Sequence, residues 1–246
     1  MIVSSSTLTI KSTTYERGFT LVELMIALFV SGLVMAAVVS VYVAQTRSYS
    51  ELDDVAGIQQ DLRGALILLP LEIRLAGCDP TESKVPGILS ATRTGFQFTR
   101  DISGDPVNAN HADGDVDDPN ENIAFGLSAV FDTNNNGIVD NGGADWNGTG
   151  SLGRSTGGGL QPLADNIEAV EFNYILDDGS TTLTPAIFNR IRSVQVSLLA
   201  RATNPATGFL NTSTYTAASG VVWNPPNDCF RRRLVVTNIQ LRNMGY

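Results

Sequence analysis

The chain has 246 residues, 43% of them hydrophobic and 17% charged, with a formal net charge of −9. An acidic balance of this kind excludes nucleic-acid binding through a basic surface. The length suits one helical anchor and one globular domain, and two cysteines with no second pair argue against a structural zinc site.

Residues 1–18 are polar and rich in Ser and Thr, and they read as a leader outside the fold. They hold Lys11, Arg17 and Glu16, so their removal leaves a net charge of −10. Phe19 to Ala44 follows as 26 residues whose only charge is Glu23. About 20 apolar residues span the hydrocarbon core of a bilayer. A secretory signal peptide fits worse, because its apolar region is shorter and ends at a small-residue cleavage site. Lys11 and Arg17 precede the span, and the first basic residue after it is Arg47. The positive-inside tendency therefore places the leader in the cytoplasm and exports the rest through a single-pass anchor.

After Ala44 the pattern turns amphipathic. Leu52, Val55, Gln59, Leu62, Leu66, Leu69 and Ile73 recur at helical spacing, with Ser50, Asp54, Asp61 and Glu72 roughly opposite. One continuous helix is expected from Phe19 to about Ala76, in two halves, 19–44 and 45–76. Pro70 is expected to kink it near its end and Gly77 to stop it. A globular β-rich region, 77–246, follows. Gly95–Thr99 alternates briefly. Val170, Phe172, Tyr174 and Leu176 share one face of a run that ends in the turn signal Asp177-Asp178-Gly179. Val194, Val196 and Leu198 alternate with polar residues, and Arg233–Leu241 is a last candidate strand. The fold class is therefore α+β, one long helix laid on an antiparallel sheet. Residues 101–159 are rich in Asp, Asn and Gly, and read as a long acidic surface insertion with short apolar islands at Ile123–Phe125 and Leu127–Phe131.

The segment Arg17-Gly18-Phe19-Thr20-Leu21-Val22-Glu23 resembles the cleavage and methylation motif of type IV prepilins and pseudopilins. The resemblance implies a pilin-like fold, cleavage by a prepilin peptidase after Gly18, and methylation of the new amine on Phe19. It also implies that Glu23 pairs with the N-terminal amine of a neighbouring subunit. Elementary electrostatics agrees, because a carboxylate inside a bilayer costs roughly 2.5 to 3.5 kcal/mol unless a cation neutralises it. Many major pilins carry a proline where Ser40 stands here, which leans the reading toward a minor pilin or pseudopilin. Leu71-Glu72-Ile73-Arg74-Leu75-Ala76-Gly77, Leu198-Leu199-Ala200-Arg201 and Leu241-Arg242-Asn243 are similar to one branch, the minor pilin PilW and the related J-type pseudopilin. The implied partners are other minor and major pilins, the inner-membrane assembly machinery and membrane lipid. The implied role is assembly or initiation of a type IV pilus, and the implied destination after the inner membrane is the pilus itself. A minor pseudopilin of a type II secretion system shares this chemistry. A reading of another class is a membrane-anchored, calcium-dependent binding module that never enters a filament.

Residues 132–140 read Asp-Thr-Asn-Asn-Asn-Gly-Ile-Val-Asp. Asp132, Asn134, Asn136, the carbonyl of Ile138 and Asp140 follow the spacing of calcium loops, with Gly137 at the turn. Hard cations need several oxygens at about 2.4 Å. Gly143 stands where the bidentate Glu belongs, and Asp145 is the candidate substitute, so weak binding is expected. The alternative is a solvated Asn/Gly turn. Asp113, Asp115, Asp117, Asp118 and Glu121 form a second acidic cluster, either a further ion site or a self-repelling loop. Cys78 and Cys229, an even pair in an exported domain, suggest a disulfide, against two free thiols. Arg231-Arg232-Arg233 reads as a solvated strand start, or as salt bridging to the acidic loops or a neighbour. Catalysis lacks support: His111 sits alone in an acidic loop, and no Ser or Cys nucleophile has an evident basic partner.

Overall fold

The computed structural model describes residues 18–104 and 111–244. Residues 1–17, nearly all of the expected leader, lie outside the described part. The chain divides into two compact units, Met1–Ser48 and Tyr49–Tyr246.

The first unit holds the start of α1, which spans Leu21–Ile73. Every described side chain of this unit is exposed, and the most apolar window of α1 has a mean hydropathy of 2.6 with none of it buried. Among the described residues nothing removes this surface from water.

The second unit packs the rest of α1 on a sheet. The buried stripe is Ile58, Leu62, Ala65, Leu69 and Ile73, at steps of four and three. That stripe corrects the expected one in part. Leu62, Leu69 and Ile73 are buried, whereas Leu52, Val55, Gln59 and Leu66 are exposed. The stripe is rotated because small Ala65 and Gly64 let the helix approach the sheet closely; a Cβ added at Gly64 would stand 2.9 Å from the carbonyl oxygen of Leu163. Glu72, expected on the solvent side, is buried. Pro70 lies inside the helix, and the chain leaves it through a turn of 3₁₀-type bonds, Leu75 to Glu72 and Ala76 to Ile73, that ends at Gly77.

The strands are β1 (Ile88–Ala91), β2 (Gly95–Thr99), β3 (Asn122–Leu127), β4 (Gly150–Ser155), β5 (Gln161–Leu176), β6 (Thr181–Thr182), β7 (Ile191–Arg201), β8 (Tyr215–Thr216), β9 (Val222–Trp223) and β10 (Arg232–Gln240). The main sheet is antiparallel in the order β1-β2-β3-β4-β5-β7-β10, with β6 paired to β5; β8 and β9 form a separate hairpin. The expected strands at 95–99, 169–176, 190–200 and 233–241 are all present. The expected surface insertion 101–159 is not one loop: β3 and β4 lie inside it and continue the sheet. Ile123, Phe125 and Leu127, read as islands, alternate inward, and Ile123 and Phe125 are fully buried.

Phe96, Phe98, Phe125, Val170, Phe172, Tyr174, Val194, Val196, Leu198 and Ile239 share one core with the helix stripe. The opposite face is covered too. Ala169 and Leu199 pack there with Trp223 of β9 and Ala217, against Ile138 and Trp146 from the 132–146 loop. Burial on both faces explains why the middle of β5 tolerates Glu171 and Asn173 only with partners: Ser219 and Arg93 for the first, Gln195 for the second.

Candidate functional site

Glu23 is fixed by the helix start. Thr20 precedes the first helical residue, and its amide donates to Glu23 Oε2 at 2.9 Å. The Thr20 hydroxyl donates to the same oxygen at 3.0 Å, and the Glu23 amide donates back to Thr20 Oγ1 at 3.2 Å. This reciprocal arrangement is a capping box, which satisfies helix-end amides that otherwise have no acceptor. Only one carboxylate oxygen of Glu23 is used; among the described residues Oε1 has no partner. Gly18 and Phe19 lie just outside the helix, with Phe19 at 89% exposure. The motif Thr-x-x-Glu that builds the box is visible in the sequence, and Thr20 is the functional residue that the motif reading left without a role.

The 132–145 loop gathers part of the expected oxygen set. Asp145 accepts from the side-chain amides of Asn134 at 3.0 Å and Asn136 at 2.8 Å. Asp132, 1% exposed, accepts from the backbone amides of Asn136 at 3.1 Å and Gly137 at 2.9 Å. Burial pushes the Asp132 carboxyl up, against the pull of those two amides. Gly137 is required here: its φ is +83°, and a Cβ would collide with the Val170 carbonyl oxygen. Ile138 donates its amide to Asn136 Oδ1 and bridges to Ala169 on β5, which seats the loop on the face of the sheet away from α1. Asp140 departs from the expected set. Its carboxylate accepts from Thr133 and from the Gly142 amide, which together hold its pKa down and turn it to the loop's own backbone. Asp145 thus meets the amide nitrogens of Asn134 and Asn136, whose Oδ1 atoms accept from the Asn136 and Ile138 backbone amides, while Asp132 accepts from the loop's backbone. Two carboxylates and two carboxamides suit a hard divalent cation such as calcium.

In the second cluster, Asp113, Asp115 and Asp118 come together, each with an oxygen within 4.8 Å of the others. Burial first, then Asp113, Glu121 and neighbouring carboxylates, push Asp118 up. Asp115, by hydrogen bond and by charge, does the same to Asp117. Glu121 is not part of the group. It is fully buried, and it pins the chain by accepting from the amides of Ile102 at 2.8 Å and Ser103 at 2.9 Å. Asp101, unremarked in the sequence, acts likewise toward Asp113 and Gly114.

Residues 13–39 match the family described as the prokaryotic N-terminal methylation motif, and residues 146–243 match the type IV pilus-assembly protein W family. The chain carries a prepilin-type N-terminal motif and, farther along, a region similar to the PilW family. A type IV-like pilin from Thermus thermophilus aligns with 75% of this chain and 96% of its own, at 17% identity and a TM-score of 0.44. No curated protein matches the chain. Thr20 and Glu23 of this pilin-like chain fall inside the first match, while Asp113–Glu121 and Asp132–Asp145 fall outside both.

Two further expectations meet a different geometry. Cys78 and Cys229 are free thiols, one half-buried and one exposed. Cys78 lies just past the end of α1, whereas Cys229 lies two residues from Arg231, which pairs with Glu51 at 2.6 Å. Residues 51 and 73 of the helix are separated by about 33 Å at 1.5 Å per residue, far beyond the Cα separation that a disulfide bridges. The arginine triplet is not a solvated strand start. Arg231 reaches α1, and Arg232, 1% exposed in its side chain, holds Glu168 and Asp228. Only Arg233 of the three is exposed. His111 is exposed in its loop, with no nucleophile bonded to it among the described residues.

Proposed function

We propose that the chain is a minor pilin of a type IV pilus, acting in pilus assembly or initiation. The observation that carries this is the start of α1: an apolar stretch with no side chain buried among the described residues, opened by one capped carboxylate, inside a matched methylation motif. A prepilin peptidase cuts after Gly18 and the Phe19 amine is methylated. The helix then holds the protein in the inner membrane, with the second unit exported, until packing against neighbouring pilins draws it into the filament. Glu23 sets axial register by accepting from the amine of the next subunit. The match to a pilus-assembly family favours the pilus over a type II secretion machine. Pilin-family proteins are structural, and the chain works by packing rather than catalysis. Mass spectrometry of the membrane-extracted protein tests the reading. The expected N-terminus is Phe19 bearing one added methyl group; a chain that still begins at Met1 refutes it.

The 132–145 loop is proposed to hold calcium through Asp132, Asn134, Asn136 and Asp145. The ion would draw those oxygens inward and tie the loop to the back of β5. With no bidentate Glu, the expected dissociation constant is about 10⁻⁴ to 10⁻³ M. Calorimetric titration of the full chain in detergent should show saturable calcium binding that Asp132→Ala removes. An absence of heat with the unmodified chain ends this part of the proposal.

A further inference from the structure

The two edges of the main sheet are built differently. β1 has four residues, its pairing to β2 shifts register between Ile88 and Ser90, and Pro86-Gly87 leads into it. Short, irregular edges of this kind resist pairing with another chain. β10 has nine residues, no proline, no glycine, no lysine and an unbroken register with β7. Ala202 donates its amide to the Arg231 carbonyl, and Leu241 donates its amide to the Arg192 carbonyl. Odd-numbered residues of β10 therefore turn their backbone groups to β7. Leu234, Val236, Asn238 and Gln240 turn theirs outward, and among the described residues nothing pairs with them. Val236 is 47% exposed on this open edge.

Beside the edge, α1 and β10 enclose a groove of about 790 Å³, whose walls include Leu62, Leu66, Ile67 and Val235. Arg63 and Arg233 also line it. Both are exposed, and neither forms an ion pair among the described residues. A cationic, half-apolar groove on a chain of net charge −9 selects by charge. A second copy of this strand does not supply the missing charge, because β10 contains no acidic residue.

We propose that β10 is the docking edge for an extended segment of a partner protein. That segment adds as a further antiparallel or parallel strand, pairing with the outward groups of residues 234–240. Its alternate side chains enter the groove, apolar ones against Leu66 and Ile67, and a carboxylate between Arg63 and Arg233. Main-chain bonds give affinity in this mode, and the side chains that alternate into the groove give selectivity. The inference is independent of whether the chain enters a filament.

The test uses the full chain in detergent micelles and a capped synthetic peptide, as long as β10, whose alternate positions read valine, glutamate, valine with threonine between them, so that one face carries both the apolar and the acidic side chains. Hydrogen exchange read by mass spectrometry should slow in 234–240 when the peptide is added. Binding should weaken about tenfold in the Arg63→Glu, Arg233→Glu double variant, each lost exposed pair contributing under about 1 kcal/mol. Val236→Pro removes an outward N–H without touching the bonds to β7, and should weaken binding on its own. A peptide methylated on alternate backbone amides should not protect. The proposal is overturned by an absence of protection up to millimolar peptide or by equal binding of the same peptide with lysine in place of glutamate. Full binding of the methylated peptide also overturns it, and so does protection that rises with protein concentration in the absence of peptide, which would assign the edge to a second copy.

Discussion

Glu23→Ala should abolish incorporation into filaments while leaving the protein in the membrane. Two losses combine. The Glu23 half of the capping box disappears, which leaves the Thr20 amide without its acceptor while the bond from the residue-23 amide to Thr20 Oγ1 remains. The charge partner for the neighbouring amine disappears as well. The geometry separates the two, because Thr20 occupies only Oε2 and leaves Oε1 for a donor from outside the chain. Glu23→Gln is the discriminating variant. Glutamine supports a capping box as glutamate does, but it carries no charge. If the acid serves the neighbour's amine, both variants fail to assemble, and recovery of sheared filaments falls to background for each. If Gln restores assembly, Glu23 acts only as a cap, and the register role is wrong. Neither variant should alter unfolding of the second unit, since no described side chain of the first unit is buried.

Much of this site was legible because its signals are local. Gly18, Phe19 and Glu23 stand at fixed spacing before an apolar run, and the capping pair Thr20 and Glu23 is three residues apart. Strand β2 and the pair β5–β7 were equally readable, because Val170, Phe172 and Tyr174 against Val194, Val196 and Leu198 declare one buried face in each strand. What failed depends on residues distant in sequence. β4 hides behind its glycines, for which the fold has a use: Gly150 faces the ring of Phe131 and Gly153 faces Leu160, so the backbone approaches side chains that no local pattern announces. The even cysteine count carries no distance, and the length of α1 sets Cys78 and Cys229 apart. In the 132–145 loop the spacing alone put Asp140 among the ligands, whereas the structure gives that carboxylate to Thr133; Asp145, offered by the sequence as a substitute ligand, does meet Asn134 and Asn136. Glu72 is the plainest case. A carboxylate on an amphipathic helix reads as solvent-facing, and two arginines, Arg100 and Arg154, 28 and 82 positions away in sequence, make burial tolerable.

Glu72 is also where a single substitution should do most damage to the second unit. Arg154 grips it with two bonds, Nε to Oε2 at 2.7 Å and Nη2 to Oε1 at 2.6 Å, while Arg100 approaches Oε1 at 3.4 Å. The two arginines respond oppositely. The close pair with Glu72 raises the pKa of Arg154, whereas burial lowers that of Arg100 in spite of the same carboxylate. Arg100 thus bears the larger desolvation cost, with a side chain only 6% exposed. Glu72→Ala leaves that guanidinium buried with the Asn120 carbonyl as its remaining described acceptor. Stranding one member of a buried ion network costs about 3 to 5 kcal/mol, a large share of the stability of an ordinary domain. Urea unfolding of the full chain in detergent, followed through the buried indole of Trp223, should show the midpoint fall with little change in slope. Arg100→Met in the same background removes the stranded charge and should recover a substantial part of the loss. A Glu72→Ala chain that loses under about 1 kcal/mol would show that water screens the network as it screens surface pairs, and that apolar contact alone holds α1 to the sheet.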